Sequence, residues 1–217
     1  SSVFSIPFLG LTNEGMPRFY NERGVETLGD FNFSSSNINF LKYSGTLDPT
    51  DVGTLTNTFR YKNFTLSANI NYEFGAVTRL RSISNTDDYS AFPRELTQRW
   101  KKPGDEAHTD IPRIPTSYAF DQYGADNLIN GFYAYSASTA RIVSTDLVRL
   151  KEISMEYTVS KTLLRRTPLK NLAVKLQAQN LMLLYSDARL RGDDPAYMYS
   201  SSVTAPKKLI LTLRVGL

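Results

Sequence analysis

The chain has 217 residues, no Cys, a single His (His108), and 25 Lys+Arg against 21 Asp+Glu for a formal net charge of +4. Without Cys there is no disulfide framework, thiolate metal site or Cys nucleophile, and one His leaves no His-rich metal centre. The basic excess is small and scattered, offering no tract for nucleic acid, and no apolar run approaches the length of a membrane helix.

The opening Ser1-Ser2-Val3-Phe4 lacks the basic and apolar regions of a signal peptide. Residues 1–52 read as an extracellular loop region. The first predicted strand is Gly53–Arg60, followed by a tight turn at Tyr61-Lys62-Asn63. The second runs from Phe64 to Val77 with strict alternation. Phe64, Leu66, Ala68, Ile70, Tyr72 and Phe74 fall on one face; Thr65, Ser67, Asn69, Asn71 and Glu73 fall on the other. About ten residues of this pattern are what a tilted strand needs to cross a bilayer.

The connection 80–145 is rich in Pro, Gly, Asp and Tyr and reads as a long loop with one helical turn near Ser90–Arg99. It carries Trp100, Tyr118, Phe120, Tyr123, Phe132, Tyr133 and Tyr135. Most of these rings are expected to hold the loop's own small core. Trp100 and Tyr133 are the candidates for contact with a ligand or a covering partner, through stacking by rigid amphipathic rings. His108 reads as an ordinary loop residue.

The third strand, Asp146–Val159, sets Ile153, Met155, Tyr157 and Val159 against Glu152, Ser154, Glu156 and Thr158. Arg149 and Lys151 fall on its apolar face, where long cationic side chains can reach the headgroups. A basic, Pro-containing link, Lys161–Asn171, follows, in which Arg165 and Arg166 are expected to do no more than solvate that end. The fourth strand, Leu172–Leu184, opposes Leu172, Val174, Leu176 and Ala178 to Ala173, Lys175, Gln177 and Gln179. After a long connection, 186–206, the fifth strand Pro206–Leu217 sets Leu209, Leu211, Leu213, Val215 and Leu217 against Lys208, Ile210, Thr212, Arg214 and Gly216.

Long and short connections alternate, as in outer-membrane barrels with long outer loops and short periplasmic turns. The strand region, 53–217, therefore predicts an all-β transmembrane antiparallel barrel. A soluble sandwich is the competing reading, but its strands average only about five or six residues. Five strands cannot close a barrel, so other polypeptide must complete it. The polar side chains Asn69, Asn71, Glu73, Glu152, Glu156, Lys175, Gln177 and Arg214 are expected to face the lumen, pairing with one another or with a plug. The apolar face is expected to meet outer-membrane lipid.

No catalytic or metal-binding residue and no cofactor is predicted. Asp87-Asp88 and Asp193-Asp194 are adjacent acids without an acid/base partner, and Asp193-Asp194-Pro195 lacks the ligand spacing of an EF-hand loop. Neither a phosphate-binding Gly-rich loop nor a nucleophile elbow is present.

Several segments in this order resemble the SusC/RagA family of TonB-linked outer-membrane proteins. They are Phe59-Arg60-Tyr61-Lys62-Asn63-Phe64-Thr65-Leu66-Ser67 with Tyr72-Glu73-Phe74-Gly75, and Arg99-Trp100-Lys101-Lys102-Pro103-Gly104-Asp105-Glu106. Further on come Asp146-Leu147-Val148-Arg149-Leu150-Lys151-Glu152-Ile153-Ser154-Met155-Glu156-Tyr157, and Gln179-Asn180-Leu181 followed by Asp193-Asp194-Pro195. The resemblance implies the closing strands of a 22-stranded plugged barrel. It also implies a SusD-like surface lipoprotein as lid, and energy from TonB through a region outside these residues. The implied cargo is an oligosaccharide or an oligopeptide. A SusC-like barrel serving as scaffold for a larger outer-membrane assembly is the alternative.

Overall fold

A computed structural model describes residues 1–80, 94–190, 194–197 and 206–217. In chain order the first strands are β1 (Ser2–Ser5), β2 (Phe8–Leu11), β3 (Pro17–Tyr20), β4 (Glu26–Thr27) and β5 (Lys42–Thr46). β6 (Asp51–Tyr61), β7 (Phe64–Phe74) and β8 (Val77–Arg79) follow, then helices α1 (Ser117–Tyr123) and α2 (Ala125–Ser136). The remainder is β9 (Ile142–Ser144), β10 (Leu147–Thr158), the single turn α3 (Lys161–Leu164), β11 (Asn171–Ser186) and β12 (Lys208–Gly216). No helix among the described residues is long and apolar enough to cross a membrane.

The chain divides into two units. One comprises residues 1–47 and 77–143, the other residues 48–76 and 144–217. The second is a five-stranded antiparallel sheet in the order β12-β11-β10-β7-β6. All five predicted strands are present, each beginning and ending within a few residues of its expected bounds. Short links join β6 to β7 and β10 to β11. Lys62 takes a left-handed φ of 52° in the first, and Asn63 ties that turn to β10, its carbonyl accepting the Thr158 N–H at 2.9 Å.

The register carries the alternation across the sheet. Phe59, Leu66, Met155, Leu176 and Leu211 form one apolar row, and Tyr61, Phe64, Tyr157, Val174 and Leu213 the next. Between them in phase, on the opposite face, lies the row Arg60, Thr65, Glu156, Lys175 and Thr212.

A bulge interrupts β10. Leu150 pairs with Ile70 and Glu152 with Asn69, so Lys151 is an extra residue opposite β7. Because side chains alternate with period two, one inserted residue reverses the phase beyond it. Arg149 therefore pairs with Asn71 on the polar face rather than lying on the apolar face as expected from simple alternation. Its guanidinium donates to Asp194 at 2.6 Å. Leu150 takes the place on the apolar face. The neighbouring strand answers with Asn180 at a left-handed φ of 55°, and its amide donates to the Pro206 carbonyl at 3.1 Å.

The first unit contains more structure than its sequence suggested. β1 pairs with β5, β2-β3-β4 form a small sheet and β8 pairs with β9. The connection 80–145 is not a loop with one helical turn: besides a 3-10 turn at Arg94–Gln98 it holds α1 and α2. Gly124 donates the last helical hydrogen bond of α1, to the Phe120 carbonyl at 3.0 Å, and its φ of 80° then turns the chain out of the helix. Leu128, Gly131, Ala134 and Tyr135 form the buried stripe of α2. Its core partners come from the opening segment: Ile6 and Phe19, flanked by Phe8, Phe31 and Phe40. A Cβ on Gly29 would sit 1.9 Å from the Asn127 carbonyl oxygen, so glycine is what lets that segment approach α2. Residues 1–47 and the 80–145 connection thus share one core.

Candidate functional site

The five-stranded sheet has two chemically distinct faces. On the apolar face the side chains are the more exposed ones. Met155 is 47% exposed and Leu211 72%, whereas Ser154, between Ile153 and Met155, is 6% exposed. Among the described residues of the unit no second layer covers these apolar rows, the reverse of what a soluble sheet arranges.

Two aromatic rows bound the apolar face. Tyr61, Phe64 and Tyr157 lie together near the short turns, the Phe64 and Tyr157 rings 4.7 Å apart. Toward the other end Tyr72 and Tyr185 both flank Val148 in the register. Between them β7 carries only Leu66, Ala68 and Ile70 on this face. Phe64 and Tyr72 are about 27 Å apart at strand rise, or roughly 20 Å along a barrel axis at a 40° tilt. That is near the ~25 Å apolar band, edged by aromatic girdles, of an outer-membrane barrel.

Side-chain pairs link much of the polar face, although the Asn69 Oδ1 atom is buried without a partner. The Glu152 carboxylate accepts the Gln177 amide at 2.8 Å and the Gln179 amide at 3.0 Å. Arg214 donates to Glu156 at 3.2 Å, the Asn69 amide to Thr56 at 3.2 Å, and the Thr54 hydroxyl to Asn71 at 3.2 Å. Glu73 pairs with Leu147 in the register, and Lys175 lies beside Glu156. The structure thus brings all eight predicted polar residues onto one face. Arg149 with Asp194 belongs to this face as well and escaped simple alternation.

Trp100 and Tyr133 occupy different surroundings. Trp100 is 7% exposed; its ring packs on Gly15, where an added Cβ would fall 2.4 Å from the indole. Its indole N–H donates to Glu106 at 3.0 Å. The same carboxylate accepts the Gly104 N–H at 2.8 Å, while Asp105 accepts the N–H groups of Lys101 and Lys102 at 3.0 and 3.1 Å. The Trp100–Glu106 motif therefore closes on itself. Hydrogen bonds from its own backbone and from Trp100 hold the Glu106 carboxyl below its ordinary value of 4.5. Tyr133, in contrast, is exposed on α2 near Ile129, which is exposed too, and α1 exposes Tyr118.

Sequence reasoning gave no sign of the Arg141 cluster. Arg141 is 2% exposed and forms a two-pronged pair with Glu95, both contacts at 2.8 Å. Its guanidinium lies 5.5 Å from the Tyr135 ring centroid. Burial pushes the Tyr135 hydroxyl up to about 12, with Arg141 pulling the other way. Asp87, Asp88 and Asp193 lie outside the described residues. Among those described, no group of three potential metal ligands forms.

No protein-family model matches the chain, and no curated protein matches it in sequence. Its fold, antiparallel strands of the β-barrel type, does match solved structures. A chain of the RagAB peptide importer in its open-open state aligns with 99% of this chain at a TM-score of 0.63 and 15% identity. A structure of the RagAB peptide transporter aligns with 85% of it at 0.59 and 16% identity. The importer in its closed-closed state aligns with 84% at 0.57 and 16% identity. The alignments cover 22%, 19% and 19% of those chains, so this chain spans about a fifth of their length. At such identities the likeness is one of fold.

Proposed function

We propose that the chain is part of the wall and outer loops of an outer-membrane β-barrel importer. The observation that carries this reading is the sheet whose apolar face lies between two aromatic rows, in a chain whose fold aligns with a chain of the RagAB peptide importer. The apolar face meets lipid, and remaining barrel polypeptide pairs with the outer edges of β6 and β12. Asn69, Asn71, Glu73, Glu152, Glu156, Lys175, Gln177 and Arg214 face the lumen, where a plug polypeptide occupies the barrel. A SusD-like lipoprotein covers the outer mouth, and TonB supplies energy through the plug. Oligopeptides or oligosaccharides are the cargo, peptides being favoured by the match to a peptide importer. Tyr133 contributes contact with lid or ligand. Trp100 serves that contact indirectly, by holding its own turn closed.

The test is uptake of labelled oligopeptides and oligosaccharides by cells with the gene intact, deleted and restored. Import lost on deletion and on removal of TonB is the expected result. Unchanged uptake of both cargo classes, with the protein present in the outer membrane, would favour a scaffold instead. Tyr133→Ala is expected to reduce co-purification of the lid without lowering the amount of barrel.

A further inference from the structure

The short-turn end of the sheet concentrates positive charge. Lys62 sits in the β6–β7 turn, and Lys161, Arg165, Arg166 and Lys170 lie in the β10–β11 link. All five are exposed. The two links are joined, since Asn63 donates its side-chain amide to the Thr158 carbonyl at 2.5 Å. The β12 end lies beside them, the Lys170 N–H donating to the Gly216 carbonyl at 2.8 Å.

Neither link carries an acidic side chain to balance this charge. There is no Asp or Glu between Glu156 and Asp187, nor between Asp51 and Glu73. Glu156 itself is on the opposite, polar face and is taken by Arg214. Solubility alone does not account for the apolar groups set among these cations. In α3 Leu164 is buried while Leu163 is 67% exposed. The aromatic row of Tyr61, Phe64 and Tyr157 ends at the same turns, and the Lys62 ammonium lies 5.3 Å from the Tyr61 ring centroid.

Apolar side chains, aromatic row, then cations follow the order of a lipid monolayer from its interior outward: acyl chain, glycerol zone, then phosphate. We propose that this end is a binding collar for anionic phospholipid of the adjoining leaflet. Lys62, Lys161, Arg165, Arg166 and Lys170 hold the headgroup phosphates, and Leu163 with the Tyr61–Phe64–Tyr157 row takes the upper acyl chains. This rests on the reading of the sheet as membrane-spanning. Arg165 and Arg166 thereby gain a partner that their sequence alone did not suggest.

The experiment uses the complete protein purified in neutral detergent, with phosphatidylglycerol as probe and phosphatidylcholine as control, at low ionic strength. Wild type is expected to bind phosphatidylglycerol more tightly. At about 1 kcal/mol per cation near an anionic surface, the Arg165→Gln/Arg166→Gln double variant is expected to lose about thirty-fold in that affinity. Arg165→Lys/Arg166→Lys keeps the preference, and Arg23→Gln, in the other unit, leaves it unchanged. Equal binding of both lipids by wild type, or an undiminished preference in the Gln variant, would overturn the collar. Alkaline carbonate extraction of native membranes separates the two readings. Protein retained in the pellet without lipid preference refutes only the collar, and protein released into the supernatant refutes the membrane reading and the collar with it.

Discussion

At Arg141 a long cationic side chain is almost wholly buried, held by Glu95 and by Tyr135. Removing one member of such a pair leaves the other desolvated and unpaired, which costs about 3–5 kcal/mol. Arg141→Met is therefore expected to make the first unit open to protease at denaturant concentrations the wild type resists. Glu95→Gln, which keeps acceptor and shape, should do so to a smaller degree. A second residue-scale expectation concerns pH. Glu106 has a lowered folded value, so its contribution is present above the ordinary carboxylate value of 4.5 and is lost as pH falls through the folded one. Trp100 emission, read against a Trp100→Phe blank, should change in that acidic window and not between pH 5 and neutrality. Trp100 and the acids after it were visible as a motif. That the acids cap the turn's own backbone was not, because a carboxylate's partner is fixed only once Pro103 and Gly104 turn the chain.

Among elements, the strands were the legible part. Eleven alternating residues in β7 leave one choice of period, and the adjacent strands keep the same phase, so faces and order followed. The bulge at Lys151 was hidden, since a single inserted residue changes no local propensity, only the phase of Arg149 and Leu150. Helix α2 was hidden for another reason. Its buried stripe includes Gly131 and Ala134 while Ile129 and Tyr133 point outward, so hydrophobicity marks the wrong side. Helix propensity gives no help in a segment with Asn, Gly and two Tyr. The apolar rows allow a depth-dependent expectation. Ile153→Arg, at the middle of the face beside Ala68, should cost about 2–4 kcal/mol of barrel stability, and Tyr157→Arg, in the aromatic row, about 0–1 kcal/mol. Unfolding of the protein in lipid vesicles by urea measures both.

At the scale of the whole molecule, the proposed membrane reading requires more strands than this sheet has. β6 and β12 each have one neighbour among the described strands, leaving a row of backbone donors and acceptors for further strands to take. The chain spans about a fifth of the length of the solved chains it aligns with, which is why so little of a site was legible in it. The polar rows were foreseeable from the alternation of β7 and its neighbours. The central claim is that the apolar rows face lipid. Nitroxide labels placed one at a time along residues 64–74 and 208–216 of the complete protein, in vesicles, test it through collisions with oxygen and with a water-soluble nickel complex. The expected pattern has a period of two, with oxygen favoured at Leu66, Ala68, Ile70, Leu209, Leu211 and Leu213 and disfavoured at the residues between. A nickel preference at those positions, or no alternation along either strand, would contradict it.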